Sequence, residues 1–99
     1  MTLRWTERAV SDLIAIGDYI AADDANAARR WVETLRQRAL KASKLPRAGR
    51  VVPEIRRDDV REVFVRTYRI VYRIVEDGIV VLCVFEGHRL LGSLDPNEP

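Results

Sequence analysis

The stretch TYRIVYRIVEDGIVVLCVFEGHR, residues 67–89, decides the fold. Alternation within YRIVYRIV predicts a strand with one face carrying Tyr68, Ile70, Tyr72 and Ile74. The opposite face would carry Arg69, Val71, Arg73 and Val75. The following IVVLCVF, residues 79–85, is apolar on both faces, as is typical of a central strand. Between them, Asp77 and Gly78 suit the positive φ angles of a primed hairpin turn, so we expect two central antiparallel strands.

The residues before this hairpin predict two more strands and two helices. TLRW (2–5) and VREVFV (60–65) read as strands, although Arg66-Thr67 lacks the glycine or asparagine that tight turns favour. Thr6 is placed to cap a first helix that runs to about residue 22, with the apolar stripe Val10, Leu13, Ile14, Gly17 and Ile20. Asp24 is placed to cap a second helix, with the stripe Ala28, Trp31, Val32, Leu35, Ala39 and Ala42. Their short connection predicts an antiparallel helical hairpin.

The element order therefore predicts an α+β fold, β-α-α-β-β-β. The helical hairpin should pack on one face of a small, mostly antiparallel sheet, and the other face should carry the arginines. KLPRAGRVVPEI, residues 44–55, is expected to be a basic loop because Pro46, Gly49 and Pro53 interrupt regular structure. We expect a single domain over residues 1–92 and a flexible tail over residues 93–99.

Charge is distributed unevenly along the chain. The 99 residues carry a formal net charge of only +2. Residues 44–73, however, hold nine Lys/Arg and four Asp/Glu, which gives +5 and leaves −3 for the rest. The excess is mostly arginine, which suits bidentate contacts with carboxylates and phosphates. With no secretory signal, no membrane-spanning apolar run and a single cysteine that we expect to be buried, the sequence predicts a cytoplasmic protein without disulfides.

Several segments, in this order, resemble the ParE/RelE superfamily of toxins from type II toxin–antitoxin modules. They are WTERAVSDL, DDANAARRWVETL, PRAGRVVPEI, VREVFV, YRIVYRI and VLCVFEGHR, and they span nearly the whole chain. The resemblance implies this compact fold and neutralisation by an antitoxin laid over the toxin. It also implies one of two targets, since RelE-like members cleave messenger RNA on the ribosome and ParE-like members are associated with poisoning DNA gyrase.

The residues at the RelE-like catalytic positions favour the ParE-like branch. A ribonuclease working without a metal needs a base, an acid and cations for the developing phosphorane. Arg69 and Arg89 match RelE-like arginines, but the lysine positions of the preceding strand fall on Glu62 and Phe64. No Tyr, His or Lys follows Arg89. His88 is left as the one titratable base, so a RelE-like site would consist of Arg69, His88 and Arg89.

The remaining basic residues predict a surface that binds a macromolecule. As a group, the predicted partner-binding residues are Arg50, Arg56, Arg57, Arg61, Arg69, Arg73, Arg89 and Tyr19. An acidic antitoxin segment or the phosphate backbone in a gyrase–DNA complex would suit the arginines, and Tyr19 lies off the buried stripe of its helix. No cluster with metal-ligand spacing and no glycine-rich phosphate loop is found, so we expect no metal and no cofactor.

Three functions remain open at this point. The first is a ParE-like toxin that inhibits gyrase by binding and is silenced by a ParD-like antitoxin. The second is a RelE-like ribosome-dependent ribonuclease. The third is a non-toxic paralogue that only binds an antitoxin. The positions of Glu62 and Phe64 favour the first over the second.

Overall fold

The structure, a computed structural model, describes residues 2–87, 94 and 96–97. In chain order its elements are β1 (Thr2–Trp5), α1 (Glu7–Ala21), α2 (Ala25–Lys44), a 3₁₀ turn (Pro46–Ala48), β2 (Arg50–Val51), β3 (Val60–Val65), β4 (Tyr68–Val75) and β5 (Gly78–Glu86). The sheet order is β1-β5-β4-β3-β2, with β1 parallel to β5 and the other pairs antiparallel. The predicted α+β architecture is confirmed. Within the described residues, no helix is long and apolar enough to cross a bilayer.

The helices begin where their caps were predicted. The hydroxyl of Thr6 accepts from the Ala9 N–H at 3.1 Å, and the Asp24 carboxylate accepts from the Asn26 N–H at 2.9 Å. Thr6 also donates to the Leu82 carbonyl at 3.0 Å, which ties the start of α1 to β5. Asp12 extends this tie by accepting from the Val84 N–H at 2.9 Å. β1 ends before these two residues of β5, so their backbone groups have no strand partner on that side. The side chains of Thr6 and Asp12 form the hydrogen bonds that a longer β1 would have formed.

Two turns differ from what their residues predicted. Gly78 has no positive φ angle. It is needed for space, because a Cβ there would lie 1.9 Å from the Thr2 carbonyl oxygen of β1. In the other turn, Arg66 takes the left-handed conformation usually given to glycine or asparagine, with φ 53°. Its guanidinium then lies 5.6 Å from the centre of the Trp31 ring, which holds the turn against α2.

The sheet is covered on both faces, whereas only one covered face was predicted. The helix side holds the main core, which includes Leu35, Ile70 and Tyr72. The opposite side, called the outer face here, holds a second buried cluster of Val52, Val60, Val71, Val80, Leu82 and Cys83. Ile55, Phe85 and Leu94 pack against that cluster. The segment after β2 therefore folds back over the outer face, so this face is not an open arginine surface.

The segment expected to be a loop at residues 44–55 is partly regular. It contains the 3₁₀ turn and the two-residue strand β2, which pairs with Arg61 and Glu62 of β3. The Tyr72 hydroxyl donates to the Pro46 carbonyl at 2.6 Å and fixes the end of α2 to the sheet. β2 therefore starts beside β3, and its arginine reaches the outer face.

Candidate functional site

The outer face brings together Arg69 and Arg50, two of the predicted partner-binding arginines, through the carboxylate of Glu62. Arg69 lies on β4 opposite Phe64 of β3, and Glu62 lies two residues from Phe64 on the same face. The Arg69 side chain is nearly enclosed, with 6% of the residue exposed, and Glu62 is 1% exposed. The centre of the predicted cationic surface is therefore buried, and the role of Arg69 in partner binding stays a prediction.

Two carboxylates hold the Arg69 guanidinium. Its Nε donates to Oε1 of Glu62 at 2.6 Å. Its two terminal nitrogens donate to the two oxygens of Glu54, each at 2.9 Å, in a bidentate pair. The Arg69 guanidinium also lies 5.1 Å from the centre of the Phe85 ring. The charge and the donors of Arg69 are thus used within the chain.

The second oxygen of Glu62 is bonded to Arg50 of β2. The Arg50 Nε donates to Glu62 Oε2 at 2.7 Å, and a terminal nitrogen of Arg50 contacts the same oxygen. Arg50 also lies over Phe64, with its guanidinium carbon 5.4 Å from the ring centre. Arg50, Arg69, Glu54 and Glu62 form a network of two positive and two negative charges, and its net charge is zero.

The pKa values in this network follow from its hydrogen bonds. The bidentate bond from Arg69 lowers the pKa of Glu54 below its usual range, against a smaller opposing effect of burial. The bonds to Glu54 and Glu62 raise the already high pKa of Arg69 further. Glu54 and Arg69 are therefore both ionised near neutral pH, and Arg69 has no proton to give or take there.

Two aspartates of the loop between β2 and β3 form ion pairs with three more arginines. Asp58 accepts from Arg47 at 2.6 Å and from Arg61 at 2.8 Å. Asp59 accepts from both Nε and a terminal nitrogen of Arg57, at 3.0 and 2.8 Å. Arg61 also donates to the backbone carbonyls at positions 47, 49 and 58. These arginines hold the loop in place, and their charges are partly or wholly cancelled by adjacent aspartates.

The other predicted residues are placed differently. Arg56 is exposed at the tip of the loop with φ 59° and forms no ion pair within the described residues. Arg73 is half-buried, and its Nε is buried without a hydrogen bond in the described part of the chain. Tyr19 is 82% exposed on α1, on the helix side of the sheet and apart from the arginine cluster. His88 and Arg89 lie outside the described residues.

Comparison with known proteins decides the family. Residues 3–91 match the family described as the ParE toxin of the type II toxin–antitoxin system parDE. This chain belongs to the ParE toxin family. A solved structure described as the chromosomal ParDE TA system from P. aeruginosa has the same fold, with a TM-score of 0.72 and 22% sequence identity. The match covers 87% of this chain and 95% of that one. Among curated proteins, no sequence matches.

Two features of this ParE-family chain were missed by sequence reasoning. Glu54 and Glu62 were not recognised as counter-ions of Arg69, although the alternation of Val60, Glu62 and Phe64 placed Glu62 on the arginine-bearing face. The contact between Glu54 and Arg69 had no comparable signal in the sequence, because it depends on the path of an irregular loop.

Among the described residues, no three His, Cys, Asp or Glu side chains come together as a metal site requires.

Proposed function

We propose that this ParE-family toxin inhibits DNA gyrase by binding and breaks no covalent bond itself. We also propose that it acts in the cytoplasm and that a cognate ParD-like antitoxin neutralises it. The family match over residues 3–91 supports this branch. The single observation that carries the binding mechanism is the occupied state of Arg69, the arginine that a RelE-like nuclease would need.

A ribonuclease would require Arg69 to face the scissile phosphate. In this chain a phosphate approaching the Arg69 guanidinium would have to displace Glu54 from two hydrogen bonds of 2.9 Å. It would then approach the carboxylate of Glu62, which remains bonded to Arg69 at 2.6 Å. Like charge raises the energy of the phosphorane that catalysis must stabilise. This arrangement supports a protein that binds its target over one that cuts RNA.

The groove between α1 and α2 fits an antitoxin helix. It has a volume of about 660 Å³ and is lined by small residues such as Gly17, Ala21 and Ala28. Four charged residues line it as well: Asp18, Arg29, Glu33 and Arg36. Val10 and Ile14, 45% and 59% exposed, continue the same side of α1 one to two turns earlier. The small and apolar residues of this groove would accept the apolar face of an amphipathic helix, and its charged residues would pair with the polar side of that helix. We assign this groove to the antitoxin; a contact through Tyr19, on the opposite side of α1, remains a prediction.

The proposal is tested by adding the purified full chain to gyrase supercoiling reactions and, separately, to translating ribosomes. We expect supercoiling to stop and messages to remain intact, and we expect a co-expressed ParD-like antitoxin to restore supercoiling. Chain that has been heat-unfolded serves as the negative control. Message cleavage with supercoiling unaffected would overturn the proposal in favour of the nuclease. Normal growth of cells that express the chain without an antitoxin would show a non-toxic paralogue instead.

A sharper test of the mechanism uses Glu54→Gln. This variant removes one negative charge from Arg69 but leaves Glu62 and the aromatic neighbours in place. A binding toxin should keep its effect on supercoiling and still cleave no RNA. RNA cleavage that appears in Glu54→Gln would show that Arg69 is a catalytic group held inactive by Glu54.

A further inference from the structure

Helix α2 carries the largest uncompensated positive charge of the described chain. Residues 25–44 contain six Lys/Arg and a single acidic residue, Glu33. Arg30, Thr34, Arg38 and Lys41 follow one another at helical spacing on one side of α2. Arg66 lies beside this side because its guanidinium is 5.6 Å from the Trp31 ring. We call this surface, made of Arg30, Thr34, Arg38, Lys41 and Arg66, the α2 basic face.

The cations of this face have no counter-ions among the residues that the structure describes. Neither Arg30, Arg38, Lys41 nor Arg66 forms a salt bridge there, whereas five arginines of the outer face and its loop do. Glu33 points to another side of α2, where it accepts from Arg36 at 3.2 Å and from Gln37 at 3.0 Å. Much of the positive charge predicted for the arginine-rich sheet is thus cancelled by ion pairs within the described residues, whereas the charge of the α2 basic face is not.

We propose that the α2 basic face binds the phosphate backbone of duplex DNA. Arg30 and Lys41 are 11 positions apart on a rigid helix, which is about 16 Å. That length equals about five base-pair steps along the DNA axis. The Thr34 hydroxyl lies between the cations and donates to the Arg30 carbonyl at 2.9 Å, so the phosphate contacts of this face would come from the cations.

The chemistry of the face favours DNA over an acidic protein segment. Protein interfaces gain most of their affinity from a few aromatic or aliphatic anchors at the centre of the contact. Thr34 lies at the centre of this face. The exposed Leu40 points to another side of α2, and Trp31, which lies under Arg66, is only partly exposed. Backbone binding to DNA requires cations and polar donors and no such anchor.

DNA binding of this kind goes beyond gyrase inhibition, because it concerns the toxin and DNA alone. It is tested by fluorescence anisotropy with a short labelled DNA duplex and the full chain, without gyrase. Four cations give a slope of about −3.6 for log K against log salt concentration, so affinity should fall about 150-fold between about 50 and about 200 mM salt. Failure of gyrase inhibition would leave this result unaffected.

The decisive variant is Arg30→Gln with Lys41→Gln. Both residues are exposed, and glutamine has nearly the same helix propensity as lysine and arginine. The slope should fall to about −1.8, and affinity should then change only about 12-fold over the same salt range. Arg4→Gln with Arg36→Gln is the matched control, since it removes the same charge from exposed positions away from the face and should behave like the unmodified protein.

Three results would overturn the proposal. The first is equal salt dependence of the decisive variant and the control. The second is absence of duplex binding at low salt by protein whose circular dichroism shows it to be folded. The third is binding of polyglutamate, but not of duplex, that depends on Arg30 and Lys41; the face would then bind an acidic protein.

Discussion

Replacing Arg69 with leucine should destabilise the fold strongly, because it leaves a buried carboxylate with half its partners. Glu62 is 1% exposed and bonds Arg69 and Arg50 through its two oxygens. Removing one partner of a buried ion pair costs about 3–5 kcal/mol, since the remaining charge cannot be hydrated. Single domains have about 0.05–0.15 kcal/mol of stability per residue, so this loss is a large part of the total.

The assay is urea and thermal unfolding followed by circular dichroism. A loss of about 3–5 kcal/mol lowers the melting temperature by about 12–40 °C for a domain of this size. Glu54→Gln is the matched control on the same guanidinium. Because the Glu54 side chain is 40% exposed, water can replace it, and its loss should cost about 1 kcal/mol or less.

The double variant Arg69→Leu with Glu62→Leu decides whether the cost comes from the unpaired charge. It removes both buried charges, and Arg50, whose side chain is 58% exposed, can turn to solvent. The double variant should therefore be more stable than Arg69→Leu alone. If its loss equals the sum of the two single losses, the network has no coupling and the reasoning is refuted.

Three further predictions concern space, pH and thiol reactivity. Gly78→Ala should lower the free energy of unfolding in urea by about 1–3 kcal/mol, because the alanine Cβ would collide with the Thr2 carbonyl and displace β1. An unchanged urea midpoint would contradict the close contact between β1 and β5. Because the pKa of Glu54 is lowered in the folded protein, its carboxylate stabilises the fold above the ordinary pKa of about 4.5, and this stabilisation is lost as the pH falls. The urea midpoint should therefore decline less steeply on acidification in Glu54→Gln than in the unmodified protein. Parallel pH profiles of the two proteins would contradict this. Burial raises the pKa of the Cys83 thiol to about 12, so iodoacetamide should label it at about pH 8 only after unfolding, and rapid labelling of native protein would count against that burial.

Most of the fold could be predicted because its signals are local. Thr6 and Asp24 cap their helices through bonds to residues two or three positions away, and the alternation of β4 fixes its two faces. These patterns depend on short-range geometry, which a sequence displays directly. The order of elements and the layer of helices followed from them, whereas the cover of the outer face did not.

The electrostatic state of the site could not be predicted in the same way. Glu54 and Arg69 are 15 positions apart and meet because an irregular loop folds over the outer face. No periodicity encodes that path, so a charge count over residues 44–73 overstated the free positive charge. Gly78 correctly indicated the turn, but the predicted reason, a positive φ angle, was wrong. The glycine is needed because β1 lies close to it, and this contact exists only in the assembled sheet.

The pairing of β1 with β5 has a consequence for how the toxin is made. Thr6 donates to the Leu82 carbonyl, which is 76 positions away, so β1 can pair with β5 only after β5 has been synthesised. At about 5–20 residues per second, translation of that interval takes about 4–15 s. The helical hairpin ends at residue 44, so only about 2–8 s of synthesis separate its last residue from the end of β5. The sheet is thus the last part of the fold to be completed, and the groove that we propose for the antitoxin is made of residues synthesised before it.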